Sequence, residues 1–225
     1  MPIYRLGTEL IFPDPAFADP EGLLAVGGDL SPERLLLAYS MGIFPWYSDD
    51  QPILWWSPDP RLIVQPEDVH ISKSLQRTIK NGKFTVTFDT DFRSVIQHCS
   101  EMKRPDQAGT WITEEMIEAY SLLHLKGFAY SVETYLDSKL VGGLYGVSLG
   151  KAFFGESMFS TCSDASKVAL AALSRKLADW QFDFIDCQVT TQHLVRMGAR
   201  EISRNDFLDR LNSALYFDTR RGAWH

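Results

Sequence analysis

Apolar positions in the first part of the chain come in short runs broken by glycine and proline, whereas beyond Arg61 they fall into longer segments of helical or strand period. The early runs predict short pieces joined by turns. Gly22-Leu-Leu-Ala-Val-Gly-Gly28-Asp-Leu30 reads as a glycine-bounded apolar segment holding a short strand, and Ser31-Pro32 reads as an N-cap followed by proline at the first helical position. The helix so opened runs from about Pro32 to Met41, turns Leu35, Leu36 and Tyr39 inward, and stops at Gly42. A boundary is set near Arg61, giving a small N-terminal domain over residues 1–61 and a larger one over 62–225.

In the larger part the two periods alternate. A basic helix carrying Lys73, Arg77 and Lys80 precedes a strand at Phe84–Phe88, a further helix follows Asp91, and Thr113 caps one that carries Glu114 and Glu115 in its first turn and ends at Gly127. Strands follow at Phe128–Tyr135, Leu140–Val147 and Lys151–Phe159, turning at Asp137-Ser138 and Leu149-Gly150. A long helix at about Ala165–Trp180, a strand at Phe182–Val189, a short helix ending at Gly198 and a last helix capped by Ser203, with Asp206 three positions on, complete the order. That order predicts an α+β fold with a mixed, largely antiparallel sheet flanked by helices.

Between the two parts lies a ribbon without a clear period. From Phe44 to Arg61 five aromatics and four prolines share eighteen residues. Proline gives no N–H to a ladder and disfavours helix before it, so this stretch is expected to lie outside regular structure. Its ring faces suit either interdomain packing or stacking on nucleobases, with packing the commoner use.

Composition narrows the class. A chain of 225 residues, 45% of them hydrophobic, can bury a sizeable core, and no apolar run is long enough to span a bilayer. The N-terminus lacks a signal-peptide core, so a cytoplasmic protein without a membrane partner is expected. Cys99, Cys162 and Cys187 are odd in number and fit no ligand spacing, which points to thiols rather than a disulfide framework or a zinc site. The net charge of −7 argues against a protein that coats nucleic acid. One local exception stands out, because Val69–Phe88 has no acidic residue while Lys73, Arg77 and Lys80 share a helix face opposite Ile71, Leu75 and Ile79. This is either a solvated face or a small anionic footprint.

Two carboxylates stand in apolar strands. Glu156 lies in Ala-Phe-Phe-Gly-Glu-Ser-Met-Phe and Asp186 in Phe-Asp-Phe-Ile-Asp-Cys-Gln-Val. A buried charge needs a partner or a cleft, so each is either a functional group or half of a buried pair with lysine or arginine. Alternation places Asp186 with Gln188 and Glu156 with Phe154 and Met158, unless Gly155 carries a bulge that re-aims them. Cys187, beside Asp186 and apolar neighbours, is a poor nucleophile, and His193 is a lone histidine on a short helix. Gly27-Gly28 lacks the spacing of a phosphate loop.

Successive motifs nevertheless resemble those of one family. Gly42-Ile-Phe-Pro-Trp46, Leu54-Trp-Trp-Ser-Pro-Asp-Pro-Arg61, Gly109-Thr-Trp-Ile-Thr113, Gly155-Glu-Ser-Met-Phe-Ser160, Ala165-Ser-Lys167 and Asp186-Cys-Gln188 are similar, in this order, to those of the bacterial leucyl/phenylalanyl-tRNA–protein transferases. The resemblance implies an enzyme that moves Leu or Phe from aminoacyl-tRNA to proteins beginning with Arg or Lys, marking them for degradation by the N-degron route. It implies a larger domain similar to the GNAT fold, no cofactor or metal, and a monomer. By resemblance Trp46 and Trp111 line the site for the terminal adenosine, while Phe153, Met158, Leu144 and Leu173 form the pocket for the transferred side chain. Tyr39 and Tyr120 join the substrate site, Lys73, Arg77 and Lys80 meet the acceptor stem, and Asp186, Gln188 and Glu156 make the catalytic centre. Asp186, oriented with Gln188, would position the amine and accept or relay its proton, and Glu156 would sit near the acceptor's cation.

The rival reading is a GNAT-type acyl-CoA-dependent N-acyltransferase. It would want a glycine-rich turn where Ser160-Thr-Cys-Ser-Asp-Ala165 stands.

Overall fold

In the computed structural model, which describes residues 3–102 and 112–224, the glycine-punctuated start of the chain forms a small sheet. Its strands β1 (Tyr4–Leu6), β2 (Leu23–Gly27), β3 (Phe44–Pro45) and β4 (Leu54–Trp56) lie in the order β1-β2-β4-β3, with β1 and β2 parallel and the other pairs antiparallel. The aromatic ribbon therefore does enter regular structure, contrary to expectation. It contributes two short strands, and its prolines stay out of the central ladder because Pro45 sits on the edge strand β3 while Pro52, Pro58 and Pro60 fall between strands. The rings pack rather than stand free: Trp55 is fully buried, with its indole N–H donating to the Gly27 carbonyl at 2.8 Å and its ring edge-on to Phe12. Trp56, half-buried, donates to the Trp46 carbonyl at 2.7 Å.

Helix α1 (Pro32–Ser40) begins where Ser31 caps the Arg34 amide and buries Leu35, Ala38 and Tyr39. The order then follows the predicted one, with two further strands, at Arg61–Val64 and Arg200–Ile202, that the sequence reading did not single out. β5 (Arg61–Val64), α2 (Lys73–Lys80), β6 (Thr85–Phe88), α3 (Phe92–Glu101), α4 (Glu114–Leu125), β7 (Ala129–Leu136), β8 (Lys139–Leu149) and β9 (Ala152–Ser160) lead to α5 (Ala165–Asp179). β10 (Phe184–Gln188), α6 (Gln192–Arg196), β11 (Arg200–Ile202) and α7 (Arg204–Leu215) follow. Seven of the strands form one sheet in the order β11-β5-β10-β9-β8-β7-β6, antiparallel throughout except for the parallel pair β9/β10. The fold is α+β with a mixed, largely antiparallel sheet.

Residues of α1, α3, α4 and α7 share one buried cluster with the sheet, and α2 and α5 supply the other. The first cluster also takes in Leu24 and Trp55, so the small sheet and the large one share a core.

Two irregularities in the large sheet decide where side chains point. Between β8 and β9 the register passes from Tyr145↔Ser157 to Gly146↔Gly155, leaving Glu156 as the extra residue of a bulge. Between β10 and β5 it passes from Asp186↔Ile63 to Gln188↔Leu62, leaving Cys187 extra. The grouping of Glu156 with Phe154 and Met158 is thereby undone. Phe154 packs against Tyr39 in the first cluster, whereas Met158 packs with the second, on the same side as Phe153. The parallel pairing of β9 with β10 ends at Asp186↔Phe154, immediately before both bulges, and the two strands part there.

Gly146 faces the bulge on β9, and there a Cβ atom would lie 2.2 Å from the Phe154 carbonyl oxygen and 2.6 Å from the Phe153 ring. Gly146→Ala is expected to destabilise the protein by about 1–3 kcal/mol, as overpacking does, measured as a fall in the denaturation midpoint at unchanged m-value.

Candidate active site

Where β9 and β10 separate, a cavity of about 600 Å³ opens. Leu144, Phe153, Met158, Leu170, Leu173 and Ile185 give it apolar walls, and Trp46 and Leu194 also line it. Glu156 and Gln188 face this space from the two bulges, and the Gln188 side-chain amide donates to Glu156 Oε1 at 2.7 Å. On its other oxygen Glu156 accepts from the Tyr120 hydroxyl at 3.1 Å, and Tyr120 is in turn hydrogen-bonded to the Tyr39 hydroxyl. Both tyrosines are fully buried behind the carboxylate and do not line the cavity.

The two carboxylates foreseen from the sequence occupy different environments. Asp186 has no exposed surface and lies outside the cavity lining. Arg61 Nε and Nη2 donate to its two oxygens at 2.9 and 2.6 Å, a bidentate pair, and the Gln188 backbone N–H donates to Oδ1 at 2.9 Å. The Arg61 guanidinium is itself buried between the Phe44 and Phe207 rings, and its remaining arm donates to the Gly42 carbonyl at 3.1 Å. Sequence reasoning allowed Asp186 a buried basic partner but did not single out Arg61. Its signal was a cation opening an otherwise apolar strand, Arg61-Leu-Ile-Val64.

Glu156 retains 8% exposure, toward the cavity, and has no basic partner among the described residues. Burial raises its pKa from 4.5 to about 7; the Tyr39 and Tyr120 hydroxyls and the Gln188 amide oppose this, and the Asp186 charge adds to it. Burial, then the charge of Glu156, holds both tyrosine hydroxyls neutral by raising their pKa well above 10. Gln188 adopts a left-handed conformation at φ 61°, which costs a residue with a Cβ roughly 1–3 kcal/mol and is held here by the Asp186 contact to its N–H.

The remaining candidates divide cleanly. Burial and then the Asp186 charge push the Cys187 thiol far above its ordinary range, which suits a packing role. His193 lines the cavity, and burial followed by Lys167 and Arg196 lowers its pKa. Lys73, Arg77 and Lys80 stand exposed on α2, which Leu75 anchors. Trp111 lies outside the described residues. A third buried carboxylate, Glu133 on β7, escaped the sequence reading; it is away from the cavity and accepts from the hydroxyls of Thr87, Thr90 and Ser131.

Residues 63–212 match the family model of leucyl/phenylalanyl-tRNA protein transferase, and residues 28–59 match that of its N-terminal domain. The leucyl/phenylalanyl-tRNA–protein transferase of Anaeromyxobacter sp. (strain Fw109-5) is 60% identical over 224 residues, covering 100% of this chain and 95% of the relative. That of Myxococcus xanthus (strain DK1622) is 55% identical over 226 residues, covering 100% and 97%. Among solved structures, a GCN5-related N-acetyltransferase from Kribbella flavida aligns at a TM-score of 0.40 and 10% identity, covering 76% of this chain and 61% of its own. The protein is thus an acyltransferase, one that uses aminoacyl-tRNA to modify other proteins. The chain belongs to the leucyl/phenylalanyl-tRNA–protein transferase family.

The raised pKa of Glu156 has a testable sign. The folded state holds the proton more tightly than the unfolded chain, so the contribution is full below pH 4.5 and is lost as pH rises to about 7. Glu156→Gln, which stays neutral, should therefore gain stability relative to the parent across that window and keep a constant advantage above it, as followed by thermal denaturation against pH.

Proposed function

We propose that the cavity takes the Leu or Phe side chain of the charged tRNA and that the Glu156–Gln188 pair receives the N-terminal amine of an acceptor beginning with Arg or Lys. The observation that carries this reading is a carboxylate without a basic partner among the described residues, on the wall of an apolar cavity. The apolar walls suit a hydrophobic side chain, and a negative group left uncompensated attracts a cationic one. Phe153, Met158, Leu144 and Leu173 serve as the acyl pocket, with Trp46 and Trp111 toward the terminal adenosine.

The chemistry asks little of the protein. The amine nitrogen bonds to the ester carbonyl carbon, the bond to the ribose oxygen breaks, and the amine's proton passes on to that oxygen. A free α-amine has a pKa near 7.7–8.0, and Glu156 is poised at about 7, so the carboxylate can take the proton from the ammonium form and hold it near the leaving group. The Gln188 amide donates to Glu156, which leaves its oxygen to accept from the amine. Asp186 is a positioning residue in this scheme: it holds the Gln188 backbone, while Tyr39 and Tyr120 hold Glu156. Alignment of ester and amine can supply most of the acceleration.

Lys73, Arg77 and Lys80 on α2 form the contact for the acceptor stem. The enzyme acts in the cytoplasm as a monomer, with residues 1–61 as its smaller domain, and commits its products to the N-degron route.

In a transfer assay with Phe-charged tRNA, peptides beginning Arg or Lys should be modified and one beginning Ala should not; equal transfer to all three would reject the acceptor assignment. Reversing Lys73 and Arg77 to Glu should weaken tRNA binding and reduce the salt slope by about two. An unaltered slope would return α2 to an ordinary solvated face.

A further inference from the structure

Phe153 lines the cavity and is otherwise fully enclosed. Its ring lies over Gly146, where an added Cβ would come within 2.6 Å of it, so the sheet blocks retreat in that direction. Beside it, away from the cavity, sits Trp224, with ring centroids 5.7 Å apart. Trp224 is 1% exposed, stacks on Tyr130 at 4.0 Å and meets Trp180 and Phe182 edge-on. Among these four ring partners Phe153 alone lines the cavity.

The segment that brings Trp224 there, after α7, is fastened along its length. The Gly150 N–H donates to the Thr219 hydroxyl at 2.9 Å, and the Tyr130 hydroxyl donates to the Arg220 carbonyl at 2.9 Å. The Arg220 guanidinium lies 4.0 Å over Trp180, and Arg221 lies 4.6 Å over Phe128. At Trp224 itself the backbone N–H donates to the Asp89 carboxylate at 3.0 Å, and its carbonyl accepts from the Lys176 ammonium. A side chain clamped at its own main chain is a fixed stop rather than a loose filler.

We propose that Trp224 is a specificity-determining residue that never meets the substrate: it braces Phe153 from behind, sets how far the apolar pocket extends, and so tunes the choice between Leu and Phe. The inference rests on the reading of the cavity as the acyl pocket. With Trp224 in place the Phe153 ring is confined by Gly146 below and the indole behind. With a smaller residue at 224 the ring can withdraw, the pocket lengthens, and the larger side chain gains over the smaller. A size difference of this order in an apolar pocket discriminates by about tenfold or more.

The test is the ratio of kcat/KM for Phe-tRNA to that for Leu-tRNA, measured with one Arg-initiated peptide on the full chain. Trp224→Leu should raise the ratio about tenfold. Trp224→Phe, which keeps a ring and serves if the first variant does not fold, should raise it about threefold, intermediate between Leu and the parent. Phe153→Leu should itself change the ratio, and in that background Trp224→Leu should add no further change, because the effect passes through the ring that has been removed. If Phe153→Leu shifts the ratio while the folded Trp224 variants lower both donors equally, or favour Leu, Trp224 is only a structural core residue and the proposal is overturned. If Phe153→Leu leaves the ratio unchanged, the acyl-pocket reading fails first and the proposal falls with it.

Discussion

The buried Arg61–Asp186 pair is the interaction on which the site's geometry turns. It crosses from β5 to β10 between residues 125 positions apart, and the same guanidinium reaches back to the Gly42 carbonyl beside the aromatic ribbon. Burying two charges forfeits their hydration, and a well-packed apolar substitute could match it in stability, whereas removing one partner alone would cost roughly 3–5 kcal/mol. Its value is therefore geometric. A bidentate fork permits one orientation of the Asp186 carboxylate, and that orientation puts an oxygen where the Gln188 N–H needs it. That contact holds the Gln188 backbone at the end of the bulge and, with it, the aim of the Gln188 amide toward Glu156.

Because Arg61 neutralises one carboxylate, the other is free to behave differently. Among the described residues Glu156 has neutral donors around it, from Tyr120 and Gln188, and these oppose its desolvation without overcoming it. Two acids in neighbouring strands thereby acquire separate tasks, one permanently paired and one poised near neutrality. The tyrosine pair behind Glu156 contributes by remaining protonated, since a donor that ionised would repel the carboxylate it supports.

Much of this architecture was legible locally. Ser31, Thr113 and Ser203 each cap the helix that follows, and the strand and helix periods placed β6 to β10 of the large sheet in order, while β5 and β11, of four and three residues, are too short to show a period. The embedded carboxylates were visible as charges in apolar strands, and Gly155 marked the place of the first bulge. What escaped was non-local. Arg61 declares its role only when β5 and β10 pair, the register shifts exist only between strands, and the strands of the ribbon form because β4 pairs with β2 on one side and β3 on the other. Trp224 likewise looks like an ordinary late aromatic until the sheet brings Tyr130 and Phe153 beneath it.

The left-handed backbone at Gln188 places two demands on a single position. Asparagine or glycine would sit more comfortably at that φ, yet asparagine is a methylene too short to bridge to Glu156 and glycine has nothing to bridge with. Glutamate has the length, but it would set like charge against like in a dry pocket. The residue is thus narrowed from both ends, by its main chain and by its reach. A different residue at this position would require the bulge around it to be redrawn as well.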